Sequence, residues 1–199
     1  MGWLNCQPYF FEEIMAKEIE AKFSISLSEA DNIVRKLMNL PGAKFKYNRD
    51  EINEFFDTKK HKLDSKDSIL RLRTCRNGDK VTYFVTYKGP SKSSKIKIRE
   101  EIETSIECAK QTRKLFKMLG FNLCFLFEKN RTTYSYRGCL IEIDRLPKLG
   151  YFCEIEGKST KVIRSIKKKL GFEDAPLIRS GYGTLLRKVI KKSTKEVRF

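Results

Sequence analysis

Residues 17–25 read Lys17-Glu18-Ile19-Glu20-Ala21-Lys22-Phe23-Ser24-Ile25, with an apolar side chain at every second position. Successive side chains of a strand point to opposite faces, so Ile19, Ala21, Phe23 and Ile25 form one face and Glu18, Glu20, Lys22 and Ser24 the other. The same period of two returns at 53–57, 68–74, 81–88, 95–104, 122–129, 132–137, 139–145 and 151–156, and each stretch is read as a strand. Asn77-Gly78-Asp79 and Arg137-Gly138 separate neighbouring strands and signal hairpins. Pro41, Pro90, Pro147 and Pro176 all fall in connections. Short turns between consecutive strands imply antiparallel pairing.

The period changes to that of a helix in four places. Ser28 ahead of Glu29, Ala30 and Asp31 resembles a capping box, and Ile33, Val34, Leu37 and Met38 follow at helical spacing up to Pro41-Gly42. Further helices are expected over 105–119 with Gly120 as the stop, from Ser159 to Gly171, and over 184–192. A large sheet with few helices makes one α+β domain, a curved or closed sheet with helices outside.

The 199 residues include 42 Lys and Arg against 25 Asp and Glu, a formal charge of +17. Aromatic residues make up 12%, enough for a core. The longest apolar run, 121–127, is far short of the roughly 20 residues of a spanning helix. The opening MGWLNCQPYF has neither the basic start nor the apolar stretch of a secretory signal, so a cytoplasmic protein without a membrane partner is expected. Cys6, Cys75, Cys108, Cys124, Cys139 and Cys153 form no CxxC and His61 stands alone, which argues against zinc and for reduced thiols. The basic balance implies attraction to polyanions: nucleic acid, nucleotides or polyphosphate.

One feature recurs along the strands. Arg71 and Arg73 share a face, as do Arg99, Glu101 and Glu103, Lys129 and Arg131, Glu142 and Asp144, and Glu154 and Glu156. Solvated strand faces ordinarily mix in Ser, Thr, Asn and Gln, whereas these faces carry carboxylates on some strands and cations on others. Carboxylates that converge repel unless a cation sits among them. Glu18, Glu20, Glu154 and Glu156 offer hard oxygen ligands suited to Mg²⁺ or Mn²⁺. Arg71, Arg73, Lys129 and Arg131 offer donors to phosphate oxygens. Metal-holding carboxylates beside basic clamps are what phosphoryl or nucleotidyl transfer requires. No Walker loop is present, and Gly89-Pro90 and Gly181-Tyr182-Gly183 do not supply one.

Glu18-Ile19-Glu20-Ala21-Lys22 matches the ExExK signature of the CYTH superfamily, the triphosphate tunnel metalloenzymes. The rest of that family's pattern follows in order: Leu70-Arg71-Leu72-Arg73, Thr86-Tyr87-Lys88-Gly89-Pro90, Arg99-Glu100-Glu101-Ile102-Glu103, Lys129-Asn130-Arg131, Asp144, and Leu149-Gly150-Tyr151-Phe152-Cys153-Glu154-Ile155-Glu156. Together with the late Ser180-Gly181-Tyr182-Gly183-Thr184-Leu185-Leu186, these segments resemble the CyaB-type class IV adenylyl cyclase group, although Gly181 interrupts that group's usual Ser-Tyr pair.

The resemblance implies an α+β fold whose eight antiparallel strands close into a β-barrel, the triphosphate tunnel, with helices packed outside. It divides the chain into an N-terminal extension (1–15), a single catalytic domain (16–192) and a basic C-terminal tail (193–199). By position, Glu18, Glu20, Glu154 and Glu156 would hold Mg²⁺ or Mn²⁺. Lys22, Arg71, Arg73, Lys88, Lys129 and Arg131 would bind the phosphates, all of them but Lys88 also acting in catalysis. Glu101, Glu103, Glu142 and Asp144 would line the tunnel. The implied reaction is cyclisation of ATP to cyclic AMP and pyrophosphate. The alternative is hydrolysis of inorganic triphosphate, thiamine triphosphate or a nucleoside or RNA 5′-triphosphate, and a third reading is a non-catalytic binder of polyphosphate or RNA ends. The protein would act as a monomer or homodimer.

Overall fold

The computed structural model describes residues 16–90 and 97–199, with side chains over 19–90 and 99–199. The N-terminal extension, Cys6 and the expected strand start at 95 lie outside the described residues. The strands are β1 (Ala16–Ile25), β2 (Lys44–Thr58), β3 (Ile69–Asn77), β4 (Lys80–Lys88), β5 (Lys97–Ile106), β6 (Phe121–Tyr136), β7 (Cys139–Leu146), β8 (Gly150–Glu156) and the short β9 (Glu196–Val197). The helices are α1 (Leu27–Met38), α2 (Ala109–Met118), α3 (Thr160–Leu170) and α4 (Tyr182–Val189).

Strands β1 to β8 form one strongly curled antiparallel sheet in the order β2-β3-β4-β5-β1-β8-β7-β6. A further antiparallel ladder joins β6 to β2, from Lys44 opposite Ser135 to Thr58 opposite Phe121. Within the stretch read as a tail, β9 pairs in parallel with Leu126 and Phe127 of β6, beyond the end of β7, and Val197 is buried.

Local chemistry sets the turns. Gly78-Asp79 connects Asn77 to its partner Lys80, with Gly78 at φ +57°. Arg137 (φ +50°) and Gly138 (φ +73°) connect Tyr136 to Cys139, and two left-handed residues in succession are what a type I′ hairpin needs. Gly171 ends α3 in the left-handed conformation, as expected.

Five boundaries differ from the sequence reading. The capping box of α1 belongs to Ser26, not Ser28: the Ser26 hydroxyl accepts from the Glu29 amide at 3.2 Å, and the Glu29 carboxylate accepts from the Ser26 amide at 2.7 Å. α2 starts at Ala109 because Ser105 and Ile106 complete β5, and α4 starts at Tyr182. β6 runs unbroken through Asn130-Arg131, where two strands were expected. β2 begins at Lys44, because its charged residues Arg49 and Glu51 interrupt the apolar rhythm without interrupting the pairing.

Helices α1 and α3 pack on one face of β1, β7 and β8, burying Phe23, Ile33, Ile141, Ile155, Ile163 and Ile166. Each such side chain contributes about 1.5–3 kcal/mol on leaving water. Phe116 of α2 packs on Phe56 and Leu72. α4 breaks the expectation that all helices lie outside. Its Tyr182 and Leu186 pack on Phe125, Phe127 and Phe152, and strand alternation puts those rings on the same face as Lys129 and Glu154. A helix therefore covers one end of the charged concave face.

Candidate active site

The concave face encloses a cavity of about 1220 Å³. Lys22 of β1, Arg71 and Arg73 of β3, Lys88 of β4, and Lys129 and Arg131 of β6 all border it. So do Glu20, Glu101, Glu103, Glu142, Glu154 and Glu156. Strand registers bring these residues together: Lys22 stands opposite Glu154, Glu154 opposite Glu142, Arg131 opposite Asp144, and Lys88 opposite Glu101. The side chain of Glu18 lies outside the described residues, and its backbone stands opposite Arg99 in β1–β5. Asp144, expected to line the tunnel, is fully buried behind the cations and does not border the cavity.

The cations fall into two sets. In the first, both Arg73 Nη2 contacts to the Glu103 carboxylate are 2.7 Å, and Arg71 donates to Thr86 Oγ1 at 3.2 Å and to Glu103 at 3.4 Å. Lys88 Nζ reaches Glu101 at 2.7 Å. In the second, Arg131 donates through Nε and Nη2 to the two oxygens of Asp144 at 2.7 and 2.6 Å, and also to Glu142 and Glu154. Lys22 Nζ lies 3.0 Å from both Glu20 and Glu154, and Lys129 Nζ 3.1 Å from Asp144. Tyr182 of α4 holds its ring 4.4 Å from Lys22 Nζ and 5.2 Å from Lys129 Nζ.

Burial disfavours charge on Lys22, Arg131, Glu154, Glu142 and Arg71, and the neighbours decide the outcome. For Lys22 the carboxylates of Glu154 and Glu20 outweigh burial and raise its pKa. For Arg131 the three carboxylates do the same. Burial works to raise Glu154, but Lys22, Arg131 and Lys129 hold it well below the usual carboxylate range. Glu142 goes the other way: burial, reinforced by Asp144 and Glu154, outweighs Arg131 and pushes its carboxyl up to about 7. Arg71 is lowered, by burial first and then by Arg73, so this guanidinium has less anionic compensation than its neighbours.

Glu20 and Glu156 stand directly opposite each other in β1–β8, and both border the cavity. Opposed carboxylates destabilise a ladder unless a cation joins them. Among the described residues no three His, Cys, Asp or Glu groups are gathered to hold a metal ion. The carboxylates that border the cavity, Glu20, Glu154 and Glu156 among them, are hard oxygen donors of the kind that divalent cations take.

Some residues of the site were not read from the sequence. Arg49 borders the cavity opposite Arg131, Glu51 lies fully buried opposite Lys129, and Thr86 donates to Glu103 at 2.7 Å. The signal for Arg49 and Glu51 is the alternation Tyr47, Arg49, Glu51, Asn53 ahead of the stretch 53–57 that was read as a strand. His61, the lone histidine, sits in the turn after β2 at φ +51° and borders the cavity. Among the described residues no helix is long and apolar enough to cross a membrane.

A family model described as "CYTH domain" matches residues 16–177. A Methanocaldococcus jannaschii protein named as an inferred adenylate cyclase is 31% identical over 180 residues, covering 90% of this chain and 98% of that protein. A solved Pyrococcus horikoshii structure aligns with a TM-score of 0.74 at 27% identity, over 87% of this chain and 99% of that one. A Hippeastrum structure, named as an inferred adenylyl cyclase and described as having a dominant triphosphatase activity, aligns with a TM-score of 0.69 at 20% identity. That alignment covers 88% of this chain and 98% of the Hippeastrum chain.

Proposed function

The chain belongs to the CYTH domain family, and from that membership we propose that it is a metal-dependent triphosphate-processing enzyme of the cytoplasm, with conversion of ATP to cyclic AMP and pyrophosphate as its reaction. The observation that carries this reading is the convergence of Lys22, Arg71, Arg73, Lys88, Lys129 and Arg131 on one cavity that also presents carboxylates. The β2–β6 ladder, which joins the two ends of the strand order, supports reading the curled sheet as a closed tunnel. The catalytic unit in this reading is 16–192.

Glu18, Glu20, Glu154 and Glu156 are the residues that would hold Mg²⁺ or Mn²⁺. When bound, the ion neutralises charge on the phosphate oxygens. The chain's own part is to bind and orient. Arg71, Arg73 and Lys88 on one wall, and Lys22, Lys129 and Arg131 on the other, already sit in ion pairs that fix their positions before substrate arrives. In the cyclase reaction the 3′-oxygen of ATP bonds to the α-phosphorus, the bond from that phosphorus to the β-phosphate oxygen breaks, and pyrophosphate leaves. The aromatic part of the cavity wall, Phe55, Phe84, Phe125 and Phe127, favours a triphosphate that carries an organic group.

The second reading is a triphosphatase, in which water attacks the terminal phosphorus of inorganic, thiamine, nucleoside or RNA 5′-triphosphate. It draws support from the Hippeastrum protein, which shares the sheet. Passive binding of polyphosphate or RNA ends fits less well, since carboxylates on the cavity wall weaken a simple anion trap. Incubation with ATP and Mg²⁺ or Mn²⁺, followed by chromatography, tests the choice. Cyclic AMP with pyrophosphate is expected, and His61→Ala changes the yield little. ADP with orthophosphate and no cyclic AMP, or faster cleavage of inorganic triphosphate than of ATP, transfers the assignment to the triphosphatase.

A further inference from the structure

β2 is the strand between the two cation sets, paired with β3 on one side and β6 on the other. Its Glu51 is fully buried and does not border the cavity, so it reaches neither a substrate nor a metal ion there. Four cations surround it nonetheless. Its Oε1 lies 2.7 Å from Arg49 Nε, 2.6 Å from Arg49 Nη2 and 3.8 Å from Arg73 Nη1, and its Oε2 lies 3.5 Å from Lys129 Nζ. Arg131 also acts on it electrostatically. Burial opposes the ionised form, but Lys129, Arg131, Arg73 and Arg49 together hold its carboxyl well below the usual range. Oε2 accepts no hydrogen bond, so this carboxylate is placed for its charge more than for hydrogen bonding. Arg73 belongs to the β3 wall and Lys129 to the β6 wall, and Glu51 is in contact with both.

Arg49 borders the cavity directly opposite Arg131. Two guanidiniums facing each other repel, and Glu51 on one side and the Tyr47 ring, 4.3 Å from the Arg49 guanidinium, on the other hold this one in place. We propose that Glu51 is a positioning residue that couples the two cation sets across β2, and that Arg49 is a further anion-binding residue of the cavity. The proposal rests on the triphosphate reading of the site and extends it to a strand outside the family signature quoted above.

Glu51→Gln and Glu51→Asp, with Arg49→Ala, test it through calorimetric binding of inorganic triphosphate and through steady-state kinetics. Glu51→Gln removes a negative charge from among four cations, so the anion is expected to bind as tightly as before or more tightly. Its kcat falls on the order of 10²-fold, because clamps displaced by even an ångström lose productive geometry. Glu51→Asp keeps the charge and recovers part of kcat. Arg49→Ala weakens anion binding about tenfold, the size of one charge-assisted hydrogen bond. Coupling is also read without turnover: binding losses from Arg73→Lys and Lys129→Arg are non-additive with Glu51 present and additive in Glu51→Gln. Wild-type kcat in Glu51→Gln, additive losses in both backgrounds, or unchanged binding in Arg49→Ala overturns the proposal. A wild-type protein that turns over no triphosphate refutes the catalytic reading instead, and the binding measurements still decide this one.

Discussion

Arg131 is the side chain on which three buried carboxylates depend. It binds Asp144 through two nitrogens and also contacts Glu142 and Glu154, all four residues being buried. Replacing it with an apolar residue of similar length leaves three buried carboxylates without their shared cation. Arg131→Met is therefore expected to destabilise the protein by about 3–5 kcal/mol in urea unfolding. Glu142 carries the opposite sign. Its carboxyl is pushed up to about 7 in the fold, so between about 4.5 and 7 the folded chain holds more protons than the unfolded one. Stability from this group therefore falls as pH rises through that window. Glu142→Gln mimics the protonated form, and with chelator present it is expected to raise Tm at pH 8 and to leave it nearly unchanged near pH 4.5. The interval from 4.5 to about 7 caps the gain at about 3 kcal/mol. A Tm difference that does not shrink on acidification would remove Glu142 as the titrating group.

Helix α1 shows how far a sequence reading reaches and where it slips. Helical spacing located Ile33 and Leu37, which are buried, but the cap lies two residues earlier than Ser28. Ser26 and Ser28 both precede Glu29, and only backbone geometry shows that Glu29 is the third helical residue after Ser26. Ser26→Ala is expected to cost about 1 kcal/mol in denaturant unfolding, and Ser28→Ala less than about 0.5 kcal/mol. Equal effects would return the cap to Ser28. The strands were legible wherever one face is apolar, as in β1, β7 and β8. They were misjudged where neither face is continuously apolar: the first half of β2 was missed, and β6 was cut at Asn130-Arg131. Most cations and carboxylates that border the cavity were legible because alternation puts them on one face of their own strand, and the family resemblance picked out Lys88 and set the strands together. Glu51 and Arg49 were not, since their importance comes from β3 and β6 on either side, and pairing between distant segments leaves no local trace. The placement of α4 on the concave face was hidden for the same reason.

The net charge of +17 gives little idea of the cavity, where cations and carboxylates are interleaved so closely that most pairs lie within hydrogen-bond reach. A polyanion of triphosphate size is expected to stabilise the fold through its site, by about 2.7 kcal/mol at a hundredfold excess over Kd. A thermal shift with inorganic triphosphate that is absent in Arg71→Ala would locate that effect in the cavity. The β2–β6 ladder carries a consequence for time as well as energy. It pairs residues such as Asp50 and Asn130, which are 80 positions apart. Contacts this distant along the chain form slowly, so folding in milliseconds to seconds is expected. Glu51 and Lys129 meet across that same ladder, so this wall of the cavity is expected to form late in folding. Ligand added to a refolding chain then finds no site to hurry along. In stopped-flow experiments inorganic triphosphate should leave the refolding rate alone and slow unfolding, so that the anion acts as a latch on a fold already formed.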